Sequence, residues 1–133
     1  MIQSSSVRTV LAIALGAVPG ALGRYAVTET AKAIWGPATG YYGTFLVNFL
    51  GCFILAWVVT AEEARFRNWP PEVRLALGTG FCGAFTTFST YSLETSSLLN
   101  QGWGLALGYG VGSAIVGMVG ILLGRAMVRS KGA

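Results

Sequence analysis

Four apolar stretches of bilayer length divide the chain, near residues 7–27, 41–61, 73–99 and 105–128, with short polar or charged runs between them. About 20 apolar residues cross a hydrocarbon core. The pattern therefore predicts an all-α membrane protein with four transmembrane helices in a single domain over residues 1–133. Residues 1–6 carry no charge, so the first stretch reads as a transmembrane helix rather than a cleaved signal. It also holds Gly16, Gly20 and Gly23 with Ala12 and Ala17, a small-residue face suited to close helix contact, and Pro19, a candidate kink. The last stretch repeats the theme: Gly108–Gly112 and Gly120–Gly124 both have small-xxx-small spacing. Residues 28–40 read as a linker, with Trp35, Tyr41 and Tyr42 forming an interfacial aromatic belt. Residues 62–74, EEARFRNWPPEVR, read as a solvent loop that ends with proline in the first turn of the next helix.

The third stretch breaks this plainness. In residues 78–92, GTGFCGAFTTFSTYS, three glycines (Gly78, Gly80, Gly83) precede the hydroxyls Thr86, Thr87, Ser89, Thr90 and Ser92. Phe85, Phe88 and Tyr91 are threaded through the same run. Glycine and β-branched threonine both lower helix propensity. Backbone groups freed in hydrocarbon need partners within protein or beside a water-filled cavity. The third helix is thus expected to break in mid-membrane, near residues 80–86, beside a protein-lined pathway. In the restarted helix, Thr87, Thr90 and Glu94 are expected on one face, and Phe88 and Tyr91 on the next.

Asn48 is the other outlier, an amide between Val47 and Phe49, with Thr44 one turn before it and Gly51 three residues after. It reads either as glue between helices or as a pathway contact. Two readings also stand for Arg24, a snorkelling anchor or a cation drawing an anion, and for Glu94, an interfacial acid or an intramembrane functional group. Ser113 is the polar residue inside the last stretch.

Composition narrows the chemistry. The chain is 53% hydrophobic and 11% charged, where soluble domains carry about 25% charged residues. It has no histidine, and no HExxH motif or Lys-Ser/Thr phosphate loop, so nothing points to an enzyme. Cys52 and Cys82 read as packing residues. The net charge of +4 collects at the ends of the stretches, which fits membrane anchoring and not nucleic-acid binding. Neutral donors within apolar walls remain: the Asn48 amide, the hydroxyls, freed backbone amides and the positive ring edges of Phe88 and Tyr91. Such a set suits a small anion, because conduction needs sites weak enough to release what they admit. The carbonyls of the break point the other way and suit a cation where two breaks meet. A membrane-embedded carboxylate for proton-coupled cation export, as in small multidrug-type exporters, is missing from the first stretch; that remains the alternative reading.

Lysine and arginine are unevenly placed. With four spans, Arg8, Arg65, Arg67, Arg74, Arg125, Arg129 and Lys131 share one side, and Arg24 and Lys32 lie on the other. Positive-inside reasoning puts both termini in the cytoplasm.

These motifs have a family. The run GxCGAFTTFSTYS, with GTFLVNFLG upstream and Gly23-Arg24 closing the first stretch, closely resembles the Fluc (CrcB) fluoride channels over essentially the whole chain. The resemblance implies a fluoride-selective passive channel in the bacterial inner membrane that exports toxic fluoride. It implies an antiparallel, dual-topology homodimer with two pores. The pore asparagine then corresponds to Asn48, the pore aromatics to Phe88 and Tyr91, the hydroxyl track to Ser89 and Thr90, and the vestibule serine to Ser113. Thr44, Glu94 and Arg24 join this set. A structural Na+ ion at the dimer interface would be held by backbone carbonyls of Gly83 and Thr86. Two features depart from the family pattern: tyrosine at position 91, where phenylalanine is usual, and a charge bias of seven to two, where dual insertion calls for a weak one.

Overall fold

Gly16 and Gly80 let two stretches of backbone approach closely. A Cβ on Gly80 would stand 2.5 Å from the Ile13 carbonyl oxygen and 3.1 Å from the Gly16 Cα, and one on Gly16 would overlap the Ala76 carbonyl. Gly20 meets the Phe81 carbonyl in the same way. These contacts join α1 (Ile2–Trp35) to the middle of the chain. The computed structural model describes residues 2–36, 40–64 and 69–130; Arg65, Arg67 and Lys131, named above, lie outside the described residues.

The described residues are helical almost throughout. After α1 come α2 (Gly40–Ala64), α3 (Pro71–Arg74), a π-helical run (Leu75–Cys82), α4 (Gly83–Phe85), α5 (Phe88–Leu99) and α6 (Trp103–Ser130). Three of these helices are long and apolar enough to cross a membrane: α1 from Ser6, α2 and α6. The third apolar stretch is instead divided among α3, the π-helical run, α4 and α5. Together they make a multi-pass membrane protein.

Three boundaries differ from expectation; at one, residues 62–64, read as the start of a solvent loop, extend α2. Residues 28–35 are helical, not linker, because alanines and the Glu29–Lys32 ion pair, 2.7 Å long and three residues apart, favour continuation. Gly36, at φ +96°, ends the helix with its N–H on the Lys32 carbonyl. In the third stretch, Gly80 and Gly83 stay within helical turns, and the backbone is extended only at Thr86 (φ −75°, ψ 159°) and Thr87 (φ −144°, ψ 118°). The interruption is thus shorter than residues 80–86 and sits at its far end.

Pro70 and Pro71 behave as read: Pro70 precedes α3, and Pro71 occupies its first turn. Helices α2 and α6 run in the same direction, in register through glycine: Gly120 lies on the Phe49 carbonyl, and Gly124 on Phe53. Gly112 meets the Phe45 ring, but nothing lies within 4 Å of a Cβ at Gly108, so only half of that small-residue pair is used within the chain. At the ends, Arg8 pairs with Glu72 and Arg74 with Glu62.

Candidate functional site

One face of α2 holds the interrupted segment in place. Thr44, Asn48 and Gly51 follow at helical spacing, and each meets a different point of the segment. Gly51 leaves room for the Thr86 side chain, which a Cβ there would overlap. Asn48 bonds Thr87 twice: its Oδ1 accepts from the Thr87 N–H at 2.9 Å, and its Nδ2 donates to the Thr87 carbonyl at 3.2 Å. Thr44 donates from Oγ1 to Glu94 Oε1 at 2.9 Å.

Those bonds explain why the helix lapses where it does. In a continuous helix the Thr87 N–H would pair with the Gly83 carbonyl and the Thr90 N–H with the Thr86 carbonyl. Here the first is diverted to Asn48, and the second to the Thr87 hydroxyl at 3.2 Å. Thr87 is therefore the N-cap of α5, a position that favours a hydroxyl acceptor. It does not share a helical face with Thr90 and Glu94, as the spacing suggested. The Thr86 hydroxyl donates back to the Cys82 carbonyl at 2.9 Å, closing α4. Gly83 and Thr86 are left with carbonyls that have lost their helical donors.

Beside the interruption lies a cavity of about 440 Å³. Asn48 and Cys52 of α2, Thr86, Phe88 and Tyr91, and Ser113 of α6 line it. Of the residues singled out in the sequence, it gathers Asn48, Cys52, Thr86, Thr87, Phe88, Tyr91 and Ser113. Ser89 and Thr90 stand outside it, on the capping cluster: the Thr87 hydroxyl donates to Thr90 Oγ1 at 2.9 Å, and Ser89 Oγ lies 3.4 Å away. Gly83 is exposed, with nothing within 4 Å of a Cβ. Arg24 is half-buried on α1, away from the cavity, and makes no ion pair among the described residues. Thr44 and Glu94 lie about one turn beyond it, by the start of α2, where a Cβ on Gly40 would be 3.7 Å from Glu94 Oε1. A helix N-terminus favours a carboxylate.

The polar atoms of the cavity are neutral. The Ser113 hydroxyl is buried and has no hydrogen-bond partner among the described residues. Asn48 spends one amide hydrogen on Thr87 and keeps a second. Phe88 and Tyr91 tilt against each other at 40°, centroids 5.7 Å apart, and Phe88 is 79% exposed. The Tyr91 hydroxyl, the departure at this position, donates to the Gly110 carbonyl on α6 at 3.3 Å.

Two participants escaped the sequence reading. Tyr109 donates to Glu94 Oε2 at 2.5 Å, and its ring touches those of Tyr41, Phe45 and Tyr91. Its signal was available, since it precedes Ser113 by one helical turn. Cys52, taken as packing, is half-exposed at the cavity wall one turn after Asn48, whereas Cys82 is buried.

A family model described as "CrcB-like protein, Camphor Resistance (CrcB)" matches residues 11–125. Curated relatives agree over nearly the whole length. A Synechocystis protein named "Fluoride-specific ion channel FluC" is 45% identical over 127 residues, covering 94% of this chain and 95% of its own. A Chloroflexus aurantiacus protein of the same name is 45% identical, covering 86% and 90%. "Fluoride-specific ion channel FluC 1" of Bacillus cereus is 40% identical, covering 80% and 77%.

Proposed function

The chain belongs to the CrcB-like family, and from that premise we propose that it is a passive, fluoride-selective channel of the bacterial inner membrane that lets fluoride leave the cell. The observation that carries the reading is the buried, unpartnered Ser113 hydroxyl, set in one cavity with the spare Asn48 amide hydrogen and the Phe88 ring. A buried polar group without a partner costs stability of about 1–3 kcal/mol, which a transient anion relieves. Among the described residues, no lysine or arginine lines this cavity. Fluoride is therefore met by neutral donors, which replace water without trapping the ion.

One chain supplies one wall of such a pathway. The exposure of Phe88 supports a second copy closing the other side, as the antiparallel homodimer. The carbonyls of Gly83 and Thr86, stripped of helical donors, fit a sodium ion shared with the same pair of the partner copy. Hard cations take oxygen ligands, and such an ion would offset the dipoles left by the mid-membrane break. The cation-exporter alternative needs a carboxylate open to the cavity; Glu94 is engaged by Thr44 and Tyr109 outside it.

The test is fluoride efflux from liposomes holding the pure protein, with chloride as the control ion. Fast fluoride loss with chloride retained is expected. A folded dimer that passes no fluoride overturns the proposal.

A further inference from the structure

Glycine is a poor helix former beside alanine, so each glycine inside α6 calls for a reason. Gly112, Gly117, Gly120 and Gly124 have theirs on α2, where a Cβ would meet Phe45, Cys52, Phe49 and Phe53. Gly110 is different. Among the described residues, and beyond its own turn of helix, the one atom within 4 Å of a Cβ there is the Tyr91 hydroxyl oxygen, at 3.2 Å. The same hydroxyl donates to the Gly110 carbonyl at 3.3 Å. A backbone carbonyl has two lone pairs, so it can accept this bond beside its helical one. Gly110 thus admits the hydroxyl by lacking a side chain and holds it through its main chain.

This contact divides the Tyr91 side chain between two places. Tyr91 lines the cavity with Asn48 and Ser113, and Gly110 does not. The polar end is therefore drawn onto α6 while the ring stays at the cavity. Tyr109, the residue before Gly110, sets its own ring against that of Tyr91, centroids 5.7 Å apart and tilted by 31°. One turn of α6 grips Tyr91 at both ring and hydroxyl. A tyrosine hydroxyl has a single hydrogen to give. With that hydrogen spent on Gly110, Tyr91 offers the cavity no O–H donor, only a ring with a positive edge.

We infer that Gly110 is a positioning residue for the ion site: it withdraws the Tyr91 hydroxyl from the pathway, so that this tyrosine serves there as a bare ring. The inference rests on the channel reading above, and deepens it by giving a residue outside the cavity control over what the cavity offers. Released from Gly110, the hydroxyl hydrogen turns to the cavity and adds a third neutral donor to those of Asn48 and Ser113. Passage needs sites weak enough to let the ion go, so an added donor slows its release.

The test is a double-mutant cycle between Gly110→Ala and Tyr91→Phe, read by fluoride efflux from proteoliposomes. Alanine suits the helix better than glycine, and its Cβ crowds the hydroxyl. In the wild-type background, Gly110→Ala should slow efflux about threefold to tenfold, the span of one hydrogen bond. In the Tyr91→Phe background, which has no hydroxyl to displace, the same substitution should change efflux less than about twofold. Carbon-13 at tyrosine Cζ gives a readout independent of flux. The Tyr91 signal, identified by its loss in Tyr91→Phe, should move in Gly110→Ala. Equal slowing in both backgrounds, slowing in neither, or an unmoved Tyr91 signal overturns the inference. If Gly110→Ala fails to fold, folding itself decides: a dimer recovered in Gly110→Ala/Tyr91→Phe supports the displaced hydroxyl, and none recovered overturns it. Absence of efflux from wild type overturns the channel reading instead, while the Tyr91 signal still tests the contact.

Discussion

The middle segment is held from two sides by opposite means. On the α1 side, Gly16 and Gly20 press against bare backbone at Ala76 and Phe81, and Gly80 returns the contact to Ile13. On the α2 side, Asn48 and Thr44 reach across with hydrogen bonds to Thr87 and Glu94. The first contact needs side chains to be absent, and the segment there remains helical. The second needs specific side chains, and it draws the Thr87 N–H out of the helix. Close packing leaves the segment helical, in its π-helical run, whereas a competing polar partner at the right depth ends the helix.

Four substitutions sharpen the comparison, in order of expected size, the first two at the contacts themselves and the last two in the cavity beside them. Gly16→Val drives a side chain into the Ala76 carbonyl. It should lose folded protein altogether, at or beyond the upper end of the ~1–3 kcal/mol usual for overpacking; a sharp chromatographic peak with an unchanged melting midpoint in detergent would show that the α1 contact yields. Asn48→Ala leaves the Thr87 N–H and carbonyl without their partner. It should lower the midpoint, in keeping with ~1–3 kcal/mol for an orphaned buried group, and cut fluoride efflux at least about tenfold. Ser113→Ala is the sharpest separation of stability from flux. It removes a hydroxyl that bonds nothing among the described residues, so the midpoint should hold or rise while efflux drops about tenfold, equivalent to ~1.4 kcal/mol, close to the lower end of the ~1.5–3 kcal/mol for a hydrogen bond to an ion. A lowered midpoint with normal efflux would return Ser113 to a packing role. Tyr91→Phe removes only the 3.3 Å bond to Gly110. A change near ~0.5–1 kcal/mol is expected, with fluoride selectivity over chloride retained in paired efflux assays.

Much of this was legible in the chain. Hydropathy marks α1, α2 and α6, and the glycine spacings of α1 and of Gly120–Gly124 mark real contacts. Asn48, Phe88, Tyr91 and Ser113 meet in one cavity because each is a chemical outlier, or a ring, on an otherwise plain helix. What misled was the equation of glycine with a break. Gly80 and Gly83 are helical, and the interruption falls where two donors find better acceptors, one of them 39 residues away. A pairing that distant leaves no local trace. Likewise Thr44–Glu94 could not be inferred, although both residues stood out, because no spacing rule relates positions 50 apart. The polar stretch before Trp35 was mistaken for a linker because composition carries the membrane boundary and not the end of a helix.

The pair of hydrogen bonds between Asn48 and Thr87 also limits how this protein can vary. One side chain fixes the shape of the interruption and furnishes the cavity, so a mutation there alters two traits together. Improving ion contact by a new residue at 48 would unsettle the backbone, and no second-site change at Thr87 restores it, since the partner is main chain. Adaptation to another ion has to begin elsewhere, at Ser113, Tyr91 or the walls around them, with position 48 left as it stands.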